Sequence, residues 1–273
     1  MRALELYRVN AFSDSLTGGN PAGVCVLDAW LQDAVMQTIA TENGWSETAF
    51  VLQRPAADGG LPLRWFTPGC EVDLCGHATL ATAAVLQRRA APKRAEYLFN
   101  TRSGRLSVLC SGNSYRLDLP LQPITAKPCP AALAAALGAM PQACYAGTDY
   151  LLHYASATEI RQLQPDFAAL QQIPARGFAV TAEADADDEA DFVSRWFGGR
   201  DVAVAEDPVT GSAHAMLAPY WQQRLGRNGL LARQLSARGG SMHCEVHGDR
   251  VWLTGCARLV FAGKLWLDEM GSA

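Results

Sequence analysis

No stretch of this chain approaches the run of about 18 apolar residues that a membrane-crossing helix needs, so no membrane partner is expected. No block of Lys and Arg stands out either, and the formal net charge is −4, which argues against nucleic acid or an anionic surface as partner. The N-terminus lacks the continuous apolar core of a secretory signal; it alternates apolar and polar residues and reads as a strand. The eight cysteines are scattered without a framework, so reduced thiols in a cytoplasm are expected. G-x-G-x-x-G, Walker and G-x-S-x-G motifs are missing, which removes the usual marks of dinucleotide, nucleotide and α/β-hydrolase sites. Cys70, Cys75 and His77, and separately His243, Cys244 and His247, lack the spacing of a metal site, and no metal is expected.

What is present is ample apolar material, 49% hydrophobic against 18% charged over 273 residues, enough for two cores. Two stretches stand out: Asp73-Leu-Cys-Gly-His-Ala-Thr-Leu-Ala81 and Glu206-Asp-Pro-Val-Thr-Gly-Ser-Ala-His-Ala-Met-Leu-Ala218. Each sets acids, a small-residue turn and a His at the head of a run of small apolar residues. The first run continues as a helix over 77–89, apolar almost all round, and such a helix belongs inside a domain. The second predicts a helix over 213–224 with a kink near Pro219. The same device written twice predicts two similar halves facing each other across a cleft.

Strands are predicted over 3–10, 22–28, 47–52, 61–66, 95–99, 106–110, 115–119, 150–155 and 177–181, and again over 243–247, 250–254 and 257–267. Helices are predicted over 31–43, ended by Gly44, and over 131–137, ended by Gly138. A partly helical segment over 158–172 is broken at Pro165, and a short helix is read over 191–197. Strands outnumber helices without β-α-β alternation, so the fold class is α+β. Each half is then a curved, mostly antiparallel sheet wrapped around its central helix. The Pro-rich stretch from Pro120 marks the boundary: domains 1–120 and 121–264, with residues from about 265 to 273 packing back on the first.

The polar groups each have two readings. Gly76 and His77 head a helix whose unpaired N–H groups favour an anion such as a carboxylate, and His77 suits proton transfer near neutral pH; alternatively His77 caps the helix. Asp207 is either free for chemistry or a cap; Gly211 allows close backbone approach, and Ser212 is read as the N-cap. His214, inside the helix, reads as a core histidine. Glu47 enters an apolar strand and is either a half-buried acid–base group or an exposed edge residue.

On Gly19-Asn-Pro-Ala22, Ser46-Glu-Thr-Ala-Phe50, Phe66-Thr-Pro68, Glu71 to Ala81 and Glu206 to His214, nearly the whole chain resembles the phenazine-biosynthesis isomerase (PhzF-like) family. This family is a branch of the diaminopimelate-epimerase-like fold. The resemblance implies two pseudo-symmetric domains, a homodimer and catalysis without a cofactor. It places the family's catalytic glutamate on Glu47, its histidine on His77, its aspartate on Asp207 and its serine on Ser212, with Gly76 beside the histidine. Asn20 and Gly211 join Gly76 and Ser212 in the expected substrate-binding set. The related epimerases use two cysteine bases; the first falls on Cys75 and the second at or near Asp207, so a two-thiol racemase is disfavoured. The expected activity is isomerisation of a small carboxylate-bearing metabolite by general acid–base catalysis in the cleft between the domains. A non-catalytic binding protein and a racemase or epimerase are the alternatives.

Overall fold

The structure, a computed structural model, describes residues 2–200, 202 and 204–267. The chain divides into two compact units: one runs up to Leu117 and takes in the tail from Gly255, and the other is Asp118–Thr254. The return to the first unit therefore starts at Gly255 and not near residue 265; residues 268–273 of that expectation lie outside the described residues.

The first unit opens with β1 (Arg2–Ala11) and β2 (Asn20–Leu27), an antiparallel pair. Helix α1 (Asp33–Asn43) crosses over to β3 (Glu47–Leu52), which lies parallel to β2 with Glu47 opposite Ala22. Gly44 ends α1 in the left-handed region at φ 59, as a C-terminal glycine should. β4 (Leu61–Phe66) pairs antiparallel with β3 and with the two-residue β5 (Glu71–Val72). Helix α2 (Gly76–Arg89) then crosses to β6 (Glu96–Thr101), parallel to β4, and β7 (Gly104–Ser111) and β8 (Ser114–Pro120) extend the sheet. α2 packs against β1, β2, β3 and β7 and is buried from Gly76 to Ala83 and at Val85 and Leu86, which explains a sequence with no polar side over those turns. Its buried hydroxyls are satisfied internally: Thr79 donates to the Cys75 carbonyl at 2.5 Å and Thr82 to that of Ala78 at 2.7 Å.

The second unit contains β9 (Thr125–Ala126), α3 (Ala131–Leu137), β10 (Ala143–Ala146) and β11 (Tyr150–His153). Next come the short helices α4 (Ala157–Gln162) and α5 (Phe167–Leu170), separated at Pro165, and then β12 (Gly177–Glu183) and β13 (Phe192–Gly198). Helix α6 (Gly211–Leu225), β14 (Leu230–Gln234), β15 (Gly240–His247) and β16 (Arg250–Leu267) complete the order. β16 pairs with β15 through Thr254 and then, in the first unit, with β1 from Ala257 to Leu267. The second sheet runs β16-β15-β14-β13-β12-β11-β10-β9, antiparallel except for β11–β12 and β13–β14. α6 packs on β14 and β15.

One expectation in this unit needs correction. Residues 192–198 form strand β13 and not a helix: they pair with β12 on one side and β14 on the other and are buried on both faces. α6 runs through Pro219 as one helix; the Ala215 carbonyl, which Pro219 cannot serve, accepts from the Gln122 N–H at 3.1 Å. Both units are thus mostly antiparallel sheets packed on one long buried helix, an α+β fold. Among the described residues no helix is long and apolar enough to cross a membrane.

Candidate active site

In the first unit, three segments bring their polar ends together. Asn20 is the first residue of β2, Glu47 the first of β3, and Cys75 the residue from which α2 starts. The parallel pairing of β2 with β3 puts both strand starts at one end of the sheet. His77, 4% exposed, stands within this group instead of capping the helix. Its Nε2 lies 3.0 Å from Glu47 Oε2, and neither atom has another hydrogen-bond partner. Its Nδ1 lies 3.2 Å from Asn20 Nδ2 and 3.6 Å from Cys75 Sγ. An Asn20 N–H directed at Nδ1 leaves the ring proton on Nε2, facing the carboxylate.

The electrostatics follow from this packing. Burial disfavours a charged His77, but the Cys75 sulfur and the Glu47 carboxylate outweigh it and hold the imidazole well above its ordinary value. Burial, with the Glu47 charge behind it, pushes the Cys75 thiol up to about 11. The result is a carboxyl group and an imidazole in contact, two groups able to take up or pass on a proton side by side. Glu47 keeps 18% of its side chain exposed, so the pair is reachable from outside. No side-chain hydrogen bond caps α2, which leaves the backbone N–H groups of its first turn suited to an anion.

In the second unit, Asp207, Gly211 and Ser212 lie together where α6 begins. The N-cap is Thr210, not Ser212, and no side chain caps the helix. Thr210 instead donates its hydroxyl to the Asp207 carboxylate at 2.6 Å. Ser212 is the second residue of the helix, and its Oγ accepts from Arg176 at 3.2 Å. His214 is a core residue: Nδ1 donates to the Thr210 carbonyl at 2.8 Å, and Nε2 faces the Ser194 hydroxyl at 3.5 Å. Full burial pushes it down to about 4, so it is neutral.

Two supporting residues escaped the sequence reading. Gln234, buried on β14, donates to the Asp207 carbonyl at 2.7 Å and accepts from the Thr210 N–H at 2.8 Å, fixing the turn from both ends. It shares a strand face with Leu230 and Ala232, and a polar residue in a core position of an alternating strand is a signal the sequence does carry. Arg176 is held by the buried Asp149 at 2.8 and 2.5 Å, and the Trp196 indole donates to the same carboxylate at 2.8 Å.

Among the described residues one set of three metal-capable donors comes together, Glu47, Cys75 and His77, with ligand atoms within 4.8 Å of one another. Cys70 is not part of it, and His243, Cys244 and His247 form no such set.

A model of the family described as phenazine biosynthesis-like protein (PhzC-PhzF) matches residues 9–263. An uncharacterized isomerase of Pseudomonas aeruginosa is 50% identical over 97% of this chain and 99% of its own. A crystal structure of a phenazine biosynthesis protein of the PhzF family from Enterococcus faecalis superposes with a TM-score of 0.91 at 42% identity, covering 97% of this chain and 100% of that one. A hydroxyproline epimerase of Agrobacterium vitis shares the fold, with a TM-score of 0.64 at 13% identity over 99% and 93% of the two chains.

Proposed function

The chain belongs to the phenazine biosynthesis-like (PhzC-PhzF) family, and on that footing we propose that it is an isomerase that moves a proton within a small carboxylate-bearing metabolite. The observation that carries this reading is the 3.0 Å contact between Glu47 and His77. A proton shift needs a base where the proton leaves and an acid where it returns. Glu47 removes an acidic C–H proton beside a carbonyl or unsaturated group. His77, adjacent to it, replenishes or redirects the proton. We assign Asp207 a part in the same transfer, with Gly76, Gly211, Ser212 and Asn20 holding the substrate. Groups of this kind contribute roughly 10²–10⁴-fold each.

A thiol-based epimerase is less well supported. A Cys75 pushed up to about 11 is a poor base at neutral pH, and by the family resemblance the second thiol's position falls at or near Asp207, which is not a cysteine. A cytoplasmic homodimer working without a cofactor belongs to the same proposal; the cysteines, all free, suit a reducing compartment. The test is incubation with a panel of cyclic and acyclic carboxylic acids in deuterated water, read by mass spectrometry. Enzyme-dependent uptake of solvent deuterium supports the reading. Binding of a panel member by calorimetry without any uptake would replace it with a non-catalytic binder.

A further inference from the structure

We propose that Arg176 is a positioning residue: it fixes the Ser212 hydroxyl with its hydrogen directed away from the guanidinium, as a donor to a carboxylate of the substrate. That the acceptor is a substrate carboxylate rests on the function proposed above, whereas the positioning of the hydroxyl does not. A guanidinium has N–H donors and no acceptor, so in the 3.2 Å contact between Arg176 Nη2 and Ser212 Oγ the serine can only accept. The hydroxyl hydrogen must leave the oxygen in another direction. Among the described residues Ser212 makes no second side-chain hydrogen bond that would take up this hydrogen, and the residue is only half-buried, so a ligand can reach it. A hydroxyl whose oxygen already accepts a bond is also the stronger donor.

The guanidinium is itself held on several sides, which a positioning group needs. The buried Asp149 carboxylate accepts from Nε at 2.8 Å and from Nη2 at 2.5 Å. The Trp196 ring lies against the guanidinium, 5.5 Å from Cζ to its centroid, and its indole N–H donates to the same carboxylate at 2.8 Å. Gly177, next in the chain, makes room for that ring: a Cβ there would stand 2.1 Å from Trp196 Cζ2. Asp149, Arg176, Gly177, Trp196 and Ser212 all belong to the second unit. The bland reading is that Arg176 only neutralises Asp149. It predicts that removing both charges together leaves Ser212 as it was; the positioning role predicts that Ser212 loses its orientation.

The experiment uses a paired variant, Arg176→Met with Asp149→Asn, which removes the cation without stranding a buried carboxylate; circular dichroism checks that it is folded. Crystal structures of the wild type and the pair, without ligand, are compared first. A single Ser212 rotamer on Arg176 is expected in the wild type and a spread over rotamers in the pair; the same single rotamer in both would overturn the proposal. The second arm is a double-mutant cycle with Ser212→Ala on an acid from the deuterium panel. The pair is expected to raise KM by roughly tenfold or more, with kcat changed by less than about twofold, and to add nothing once Ser212 is Ala. An equal rise in KM in the Ser212→Ala background, or no rise at all, would overturn the action through Ser212. If no panel acid is turned over, the isomerase reading fails and the rotamer comparison still decides on Arg176. If the rotamer stays fixed while turnover is seen, this proposal alone fails.

Discussion

Gln234 spans the turn that carries Asp207: its amide N–H meets the Asp207 carbonyl at 2.7 Å while its amide oxygen meets the Thr210 N–H at 2.8 Å. One buried side chain thereby does for this turn what a strand partner does for a ladder. Replacing it by Leu keeps the volume but orphans two backbone groups, each worth about 1–3 kcal/mol. Gln234→Leu is expected to lower unfolding stability by roughly 2–4 kcal/mol, measured by denaturant titration.

The Asp149–Arg176 pair predicts an asymmetry. The Asp149 side chain is fully buried, whereas Arg176 is 34% exposed. Arg176→Met leaves a buried carboxylate without its cation, at a cost of about 3–5 kcal/mol. Asp149→Asn leaves Arg176 able to turn to water and keeps an acceptor for the Trp196 indole, so it should cost clearly less. Equal losses in the two variants would show that the carboxylate finds another partner.

His214 sets an acid limit. Its folded value is depressed to about 4 from 6.5, so the neutral form is the one the fold accepts. The stability it contributes is complete above pH 6.5 and is lost as pH falls toward 4. The loss grows by about 1.4 kcal/mol per pH step and reaches roughly 3 kcal/mol near pH 4. His214→Gln should flatten this part of the stability profile. Denaturant midpoints of both proteins between pH 7 and pH 4 check it; parallel profiles would contradict it.

Gly19 offers a conformational test. Its φ is +71, and a Cβ there would stand 2.4 Å from the Ala11 carbonyl oxygen. Gly19→Ala combines left-handed strain of about 1–2 kcal/mol with that collision, so a loss above about 2 kcal/mol is expected. Asn20 follows directly, so His77 should lose its alignment as well.

The parts of this fold that could be read from sequence are those whose signal is local. α2 and α6 announce themselves by small apolar residues on every side, and the glycines at 44 and 138 mark the ends of α1 and α3 in the left-handed region. β13 reads as a helix in the sequence because Phe192, Val193, Trp196 and Phe197 mimic a helical stripe. A strand buried on both faces loses the alternation that would give it away. Glu47 cannot be distinguished from an edge residue within its own segment; the family resemblance implies a catalytic role for it, but its partnership with His77 is a contact between β3 and α2 that only the folded structure shows. Arg176 looks like a solvated cation at the head of a strand, and its tie to Ser212 exists only once β12 and α6 are folded.

The central claim is that Glu47 moves the proton. The most direct test is solvent deuterium uptake into a substrate found by the panel, compared between the wild type and Glu47→Gln at matched folding. The account predicts a fall of roughly 10²–10⁴-fold with the unfolded fraction unchanged. Near wild-type uptake by the folded variant would contradict it.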